Sequence, residues 1–403
     1  MVDRTGPLAG VKVIELAHIM AGPVCGMMLA DMGAEVIKVE KIPGGDDSRR
    51  FVPPLQGDQS AAYMMMNRNK RGISINLKSE GGKEILHRLL KDADILIENY
   101  RMGTMEKLGF GYETLKELNP ALIYVALSGF GRTGPYANRG GFDLIAQGMS
   151  GLMTITGEGP DSPPCKVGPP VTDITSGILA AMGTLAAYTH RLKTGEGQQV
   201  DTSLFEAGIT QTYWQSAIAL ATGIPPQAMG SAHPLNAPYQ AFETQDNWIT
   251  VGAANQKNWL KLLEVVEHPE LADDPRFTDN HDRITHLKEL EQTLMPIMRQ
   301  KTTQQWLEKL EAAGVPAGPV LDICQMHEDP QAIAREMVVD VEHSQIGTLK
   351  TLGLPVKFSE TPGKVNHGAP IFGEDTRTVL AEYGYSEEEI DHFVKSGAIE
   401  VAA

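Results

Sequence analysis

Residues 11–40 constrain this chain most. Val11-Lys12-Val13-Ile14-Glu15-Leu16 reads as a short strand, Ala21 to Met32 as a helix rich in small residues, and Ala34-Glu35-Val36-Ile37-Lys38-Val39-Glu40 as a second strand. Two strands joined through a helix must pair in parallel, because only such a crossover returns the chain to the same end of the sheet. Parallel strands need helices on both faces, so an α/β fold follows. The turn after the first strand, Ala17-His18-Ile19-Met20-Ala21-Gly22-Pro23, lacks GxGxxG, which argues against a nicotinamide enzyme. His18 is a loop residue and a candidate ligand contact.

The pattern continues downstream. Ile73 to Leu77, Asp94 to Glu98 and Leu122 to Leu127 read as further strands, and Gly82 to Lys91 as a helix. In open parallel sheets, ligands bind outside the carboxyl ends of the strands. Lys78, Arg101, Lys107 and Arg139 are therefore candidate phosphate contacts, and Tyr100 could stack on a base. Asn67-Arg68-Asn69-Lys70-Arg71 is a basic cluster of the kind that usually forms a solvated face. Met64-Met65-Met66 reads as core filling. Ser128-Gly129-Phe130-Gly131 is a glycine loop without the GxSxG of a serine hydrolase. Ser203 to Ala221 reads as one long helix.

Domain limits are expected near Gly223-Ile224-Pro225-Pro226 and at a return linker, Gly314 to Pro319. The expected organisation is residues 1–224 as the first part of a large domain, 225–319 as a small domain, and 320–403 as a part that could rejoin the first. The 403 residues carry a net charge of −16, which argues against nucleic acid or an anionic membrane as partner; an anionic ligand would need a local basic patch. Cys25, Cys165 and Cys324 are far apart with no CxxC, which fits a reducing compartment and no metal site. No apolar core of a signal peptide precedes Pro7, so a cytoplasmic location is expected.

Gly168-Pro169-Pro170-Val171-Thr172-Asp173 enters a helix of about five turns that ends at Lys193-Thr194-Gly195. Its apolar stripe is Ile174, Ile178, Ala181, Leu185, Tyr188 and Leu192. Asp173 is then either an N-cap or a nucleophile on a rigid support. Local sequence leaves both open.

These segments together resemble the family III CoA-transferases, the group that holds the formyl-CoA, carnitine and bile-acid CoA-transferases. The carrying residues are Gly6 to Glu15, Ala21-Gly22-Pro23, Gly33 to Glu40, Asn67 to Arg71, Glu98-Asn99-Tyr100, Ser128 to Gly131, Asp173-Ile174 and Gly314-Val315-Pro316, in the family's order. The resemblance implies a Rossmann-like large domain built from both chain ends, a smaller α+β middle domain, and a homodimer interlocked like chain links. It implies that Asp173 is the nucleophile and that acyl-CoA and a carboxylic acid are the substrates. It also implies CoA contacts at His18, Ile19, Met20, Lys78, Asn99, Tyr100 and Lys107, with Arg139 through Asp143 near a further CoA-binding segment.

An aspartate suits thioester chemistry. It is ionised at neutral pH at its ordinary pKa of about 3.9, and the thiol it displaces leaves as thiolate without a strong acid. Against this, a helix N-terminus stabilises the anion and blunts its attack. The rival α-methylacyl-CoA racemases share the fold but need an acid/base pair. They carry His-Asp where this chain has Phe142-Asp143, and Phe cannot transfer a proton. A non-catalytic CoA-binding protein would keep the basic contacts without needing Asp173. Oxalate-using relatives have a run of glycines where this chain has Gly230 to Tyr239, so the look is closer to relatives acting on dicarboxylates, with succinyl-CoA as donor. Arg132, Arg139 and His233 are candidates to hold a distal carboxylate, although His233 before proline also reads as a turn residue.

Overall fold

The computed structural model describes residues 5–402. Its centre is a sheet of β1 (Lys12–Glu15), β2 (Glu35–Lys41), β3 (Lys70–Ile75), β4 (Ile95–Glu98), β5 (Ile123–Ser128) and β6 (Gln199–Ser203). All six pair in parallel, in the order β3-β2-β1-β4-β5-β6. Ile399–Glu400 closes the β3 edge in antiparallel. The order is that of the doubly wound α/β folds. The chain winds one way from β1 to β3, then crosses back to β4 and winds the other way. The switch point lies between β1 and β4.

Strand residues alternate between two cores, as a period of two requires. Ile14, Ile37, Val39, Ile73, Leu96 and Tyr124 face one, against Ile85, Leu89, Phe110 and Leu380. Val13, Val36, Ile95, Ile97 and Val125 face the other. On that second face lie α1 (Ala21–Asp31), α2 (Asp143–Met149), α3 (Val171–Thr194) and α4 (Leu204–Thr210).

The expected core stripe of α3 is buried only in part: Ala181 is buried and Leu185 and Tyr188 pack against the core, but Ile178 and Leu192 do not. Ile178 is 45% exposed and Leu192 71%, while Thr172, Ser176, Gly177, Ala180, Ala181, Thr184 and Ala187 are buried. The reason is the approach of α1. A Cβ on Gly177 would stand 2.7 Å from both the Ala21 carbonyl oxygen and a Val24 methyl, so only small residues fit there. Gly195 ends the helix in the left-handed conformation, as its position suggests.

The chain divides into two compact units. The first runs to Ser150 and takes in Val167–Gln211 and the chain from Asp329 on; the second comprises Gly151–Lys166 and Thr212–Glu328. The expected long helix from Ser203 is two helices, α4 and α5 (Tyr213–Thr222), parted at Gln211-Thr212 where the units divide. The second unit holds an antiparallel sheet of Tyr239–Glu243, Trp248–Gly252 and Ala317–Pro319 over a core of Trp259, Phe277, Leu294 and Trp306. The segment expected as a return linker is thus partly a strand: Ala317 pairs with Val251 and Pro319 with Ile249.

Candidate active site

Two groups of residues converge at the carboxyl edge of the sheet. The first is the turn after β1, beside the segment that leaves β4. His18 donates its N–H to Asn99 Oδ1 at 3.0 Å, and Asn99 Nδ2 donates back to the His18 carbonyl at 2.8 Å. The amide thus clamps one residue's backbone from both sides. The His18 and Tyr100 rings lie 5.7 Å apart. Burial, then the Lys38 and Lys41 charges, hold the His18 pKa below its ordinary value despite Asp46 and Asp47, so the ring is neutral at pH 7. His18, Ile19, Met20, Asn99 and Tyr100 therefore gather at the switch point, where ligands of such sheets bind.

The second group is the start of α3. Asp173 is the third residue of the helix, and Pro170 is its cap residue without a capping side chain. The cap comes from elsewhere. Asp143 Oδ1 accepts the Thr172 N–H at 3.0 Å and the Thr172 hydroxyl at 2.8 Å. Gln147 donates to Asp143 Oδ2 at 2.8 Å and accepts the Val167 N–H at 2.9 Å. Asp143, expected beside a CoA-binding segment, has both oxygens occupied by the chain's own donors. It is set there by a backbone contact: a Cβ on Gly129 would meet Gly141 at 2.6 Å, so the loop after β5 and the approach to α2 pack without side chains.

With the cap supplied by Asp143, Asp173 has no capping duty. Among the described residues no donor bonds its carboxylate. Burial first, and the Asp143 charge second, push its pKa up to about 7. The group is more basic than an ordinary aspartate and hence a stronger nucleophile once ionised. This answers the tension between helix dipole and attack, because Asp143 places a negative charge at the same helix end. Asp173 lies one turn, about 6 Å along the axis, before Gly177. Gly177 touches Ala21, the residue after Met20. The two groups are thus neighbours in space.

The candidate basic contacts are less gathered. Lys78 is exposed beyond β3, two strands from β1, with its N–H bonded to Asn76. Arg101 is exposed and abuts Gly140, and Arg139 is exposed with its guanidinium 3.9 Å over the Tyr136 ring. Lys107 is exposed on the short helix Thr104–Leu108. Arg132, a candidate for a distal carboxylate, is instead ion-paired with the buried Glu98, and its N–H is held by Asp201 at 2.9 Å. His233 Nδ1 accepts the Leu235 N–H at 3.0 Å, the bonding of a turn histidine. The cluster at 67–71 is no solvated face. Arg68 and Lys70 are buried, paired with Asp31 at 2.7 Å and Glu15 at 2.8 Å.

Sequence reasoning missed the ion network under the turn. Its signal was present: Glu15 and Lys38 are opposite charges inside otherwise buried strands, and they stand opposite each other in the β1–β2 register. Among the described residues no helix is long and apolar enough to cross a membrane.

Known proteins bear on the same residues. The sequence pattern of CoA-transferase family III matches residues 8–376. The succinate–glutarate CoA-transferase of Agrobacterium fabrum is 39% identical over 95% of this chain and 97% of its own length. The human succinyl-CoA:glutarate CoA-transferase is 34% identical over 99% and 91%. A CAIB/BAIF family protein from Brucella suis has a crystal structure that superposes with a TM-score of 0.84 at 38% identity, covering 94% of this chain and all of that one. With the switch-point turn and the free aspartate in place, these matches make this chain a member of CoA-transferase family III.

Proposed function

We propose that this enzyme moves CoA from succinyl-CoA to a dicarboxylic acid, with Asp173 as the residue that carries the acyl group. The observation that carries the reading is Asp173 itself: a half-buried carboxylate with no donor bonded to it, beside the switch-point turn, its capping role taken by Asp143.

Asp173 attacks the thioester carbonyl, the C–S bond breaks, and CoA leaves as thiolate from a mixed anhydride. The thiolate attacks the aspartyl carbonyl, the anhydride C–O bond breaks, and succinate departs. The acceptor carboxylate attacks the aspartyl thioester and expels the thiolate, which then attacks the acceptor's carbonyl and frees Asp173. No step needs a net proton transfer, which is why a single carboxylate suffices. His18, Ile19, Met20, Asn99 and Tyr100 hold the CoA moiety in this reading, and Lys78, Arg101 and Lys107 answer its phosphates. Asp143 positions the helix end and raises the basicity of Asp173. With Arg132 and His233 engaged elsewhere, Arg139 is the cation left for an acceptor's distal carboxylate.

The choice of donor and acceptor rests on relatives. Besides those named above, the succinyl-CoA:mesaconate CoA-transferase of Haloarcula hispanica is 38% identical over 94% of this chain. The test is a matrix of donors (succinyl-CoA, acetyl-CoA) against glutarate, mesaconate, oxalate and monocarboxylates. Highest kcat/KM with succinyl-CoA and a dicarboxylate is expected; a monocarboxylate preference would sink the substrate reading. Hydroxylamine added during turnover should trap Asp173 as its hydroxamate, locatable by peptide mass.

A further inference from the structure

Ile19 has φ +68. For a β-branched residue that is an outlier, because its Cβ crowds the backbone. Such a conformation persists only where the surroundings enforce it. Here the enforcing group is Asp46. Its Oδ1 and Oδ2 accept the Ile19 N–H at 3.0 and 3.2 Å.

Asp46 is itself fixed on every side. It is buried and takes the Ser48 N–H and hydroxyl at 2.9 and 2.8 Å. Its own N–H goes to Glu40 at 2.8 Å, and Glu40 is held by Arg49. Its charge is met by Lys38 at 2.9 Å, and Lys38 also reaches Glu15 and the Ala17 carbonyl, at 3.0 and 2.9 Å. Glu15 in turn pairs with Lys70. Three anions, Asp46, Glu15 and Glu40, thus meet three cations, Lys38, Lys70 and Arg49, which is what keeps such charges tolerable away from water. Lys38 and Asp46 between them hold Ala17 and Ile19, while Asn99 holds His18. Three successive residues of one turn are each fixed from a different direction.

We propose that Asp46 is a positioning residue for acyl-CoA: it holds Ile19 in the left-handed conformation that shapes the His18–Met20 turn before the ligand arrives. This rests on the reading that the turn contacts CoA. A turn shaped in advance binds without an ordering cost, so loss of Asp46 falls on CoA affinity and not on the chemical step. Burial disfavours the Asp46 anion, and the Lys38 charge with the Ser48 and Ile19 N–H groups overrides this and holds its pKa below the ordinary range. The carboxylate therefore stays charged throughout the working pH range.

The test is titration of CoA into the full-length protein, with steady-state kinetics in parallel. Asp46→Asn keeps an acceptor but loses the charge that fixes it on Lys38. It should weaken CoA binding and raise the succinyl-CoA KM at least about tenfold, with kcat and the acceptor KM within about threefold. In an Ile19→Gly background, where glycine adopts the left-handed conformation without a Cβ clash, Asp46→Asn should cost far less CoA affinity than it does beside Ile19. Wild-type affinity in Asp46→Asn, or an equal loss in both backgrounds, overturns the proposal. Should Asp46→Asn fail to fold, Ile19→Gly and Ile19→Ala are compared in the otherwise unaltered enzyme. Gly should give the tighter CoA binding and the higher Tm, and equal values overturn the proposal. Asn99→Ala guards the premise. If Asn99→Ala binds CoA like wild type, the turn is not the CoA site and the proposal falls with that reading; if Asn99→Ala weakens binding and Asp46→Asn does not, only the proposal falls.

Discussion

A carboxylate that attacks a thioester has to be ionised yet poorly stabilised. Asp173 meets both demands through its neighbours. Its pKa of about 7, raised by burial and by Asp143, makes its charge state sensitive to pH in the working range. The acid limb of kcat/KM should therefore have its midpoint near pH 7 and not near 4. Asp143→Asn, which can still accept from Thr172, should move that midpoint to lower pH because the adjacent charge is gone. A limb unmoved by Asp143→Asn would dissociate the two residues. Stability carries the same signature. A carboxyl whose folded pKa lies above its unfolded value is protonated longer in the fold, so stability falls as pH rises from about 4 to about 7. Asp173→Asn removes this loss. Its Tm relative to wild type should be higher at pH 8 than at pH 4.5, while transfer falls by at least about a thousandfold. Differential scanning at the two pH values and a transfer assay read both effects, and substantial transfer by Asp173→Asn would overturn the nucleophile assignment.

At the scale of elements, the cap and the close packing of α3 make separable predictions. Asp143→Ala should destabilise the fold by about 0.5–2 kcal/mol, the usual cost of losing an N-cap acceptor. Gly177→Ala should cost about 1–3 kcal/mol through overpacking against Ala21 and Val24. Denaturant melts measure both, and a Gly177→Ala protein as stable as wild type would show that α1 and α3 have slack. These two helices also mark where the sequence was legible. Most of the parallel strands could be read directly, because Val13-Ile14, Ile95-Leu96-Ile97 and Ile123 to Leu127 are buried apolar runs in the chain. The His18 turn and the Asn99-Tyr100 segment fell at strand ends, where the fold class itself points. The buried face of α3 could not be read the same way. Apolar periodicity assigns large residues to the core, but where α1 crosses α3 the close approach selects small ones, while Ile178 and Met182 turn outward. The cap was hidden for a different reason: Asp143 lies 29 residues from Thr172, and only the Gly129–Gly141 contact brings it there.

The outward-turned residues carry the argument to the whole molecule. On α3, Ile178 and Met182 are 45% and 61% exposed, and Phe142, the residue before α2, reaches 69%. On α5, Tyr213, Trp214 and Leu220 are all largely exposed, and that helix has no buried residue. Large apolar side chains concentrated on particular helices mark contact surfaces, since single chains seldom leave such patches to water. A second copy of this chain is the occupant implied by the family resemblance, and an interlocked pair would bury far more than a standard interface of about 1,600 Å². The protein should therefore sediment as a single species of twice the chain mass down to nanomolar concentration, with no folded monomer. Met182→Lys, which sets a charge on a 61%-exposed apolar position of α3, should lower the yield of the folded dimer. It should leave no monomer with a cooperative melt, because folding and association are then one equilibrium. A monomer that melts cooperatively, in wild type or in Met182→Lys, would show that these faces serve some partner other than a second copy.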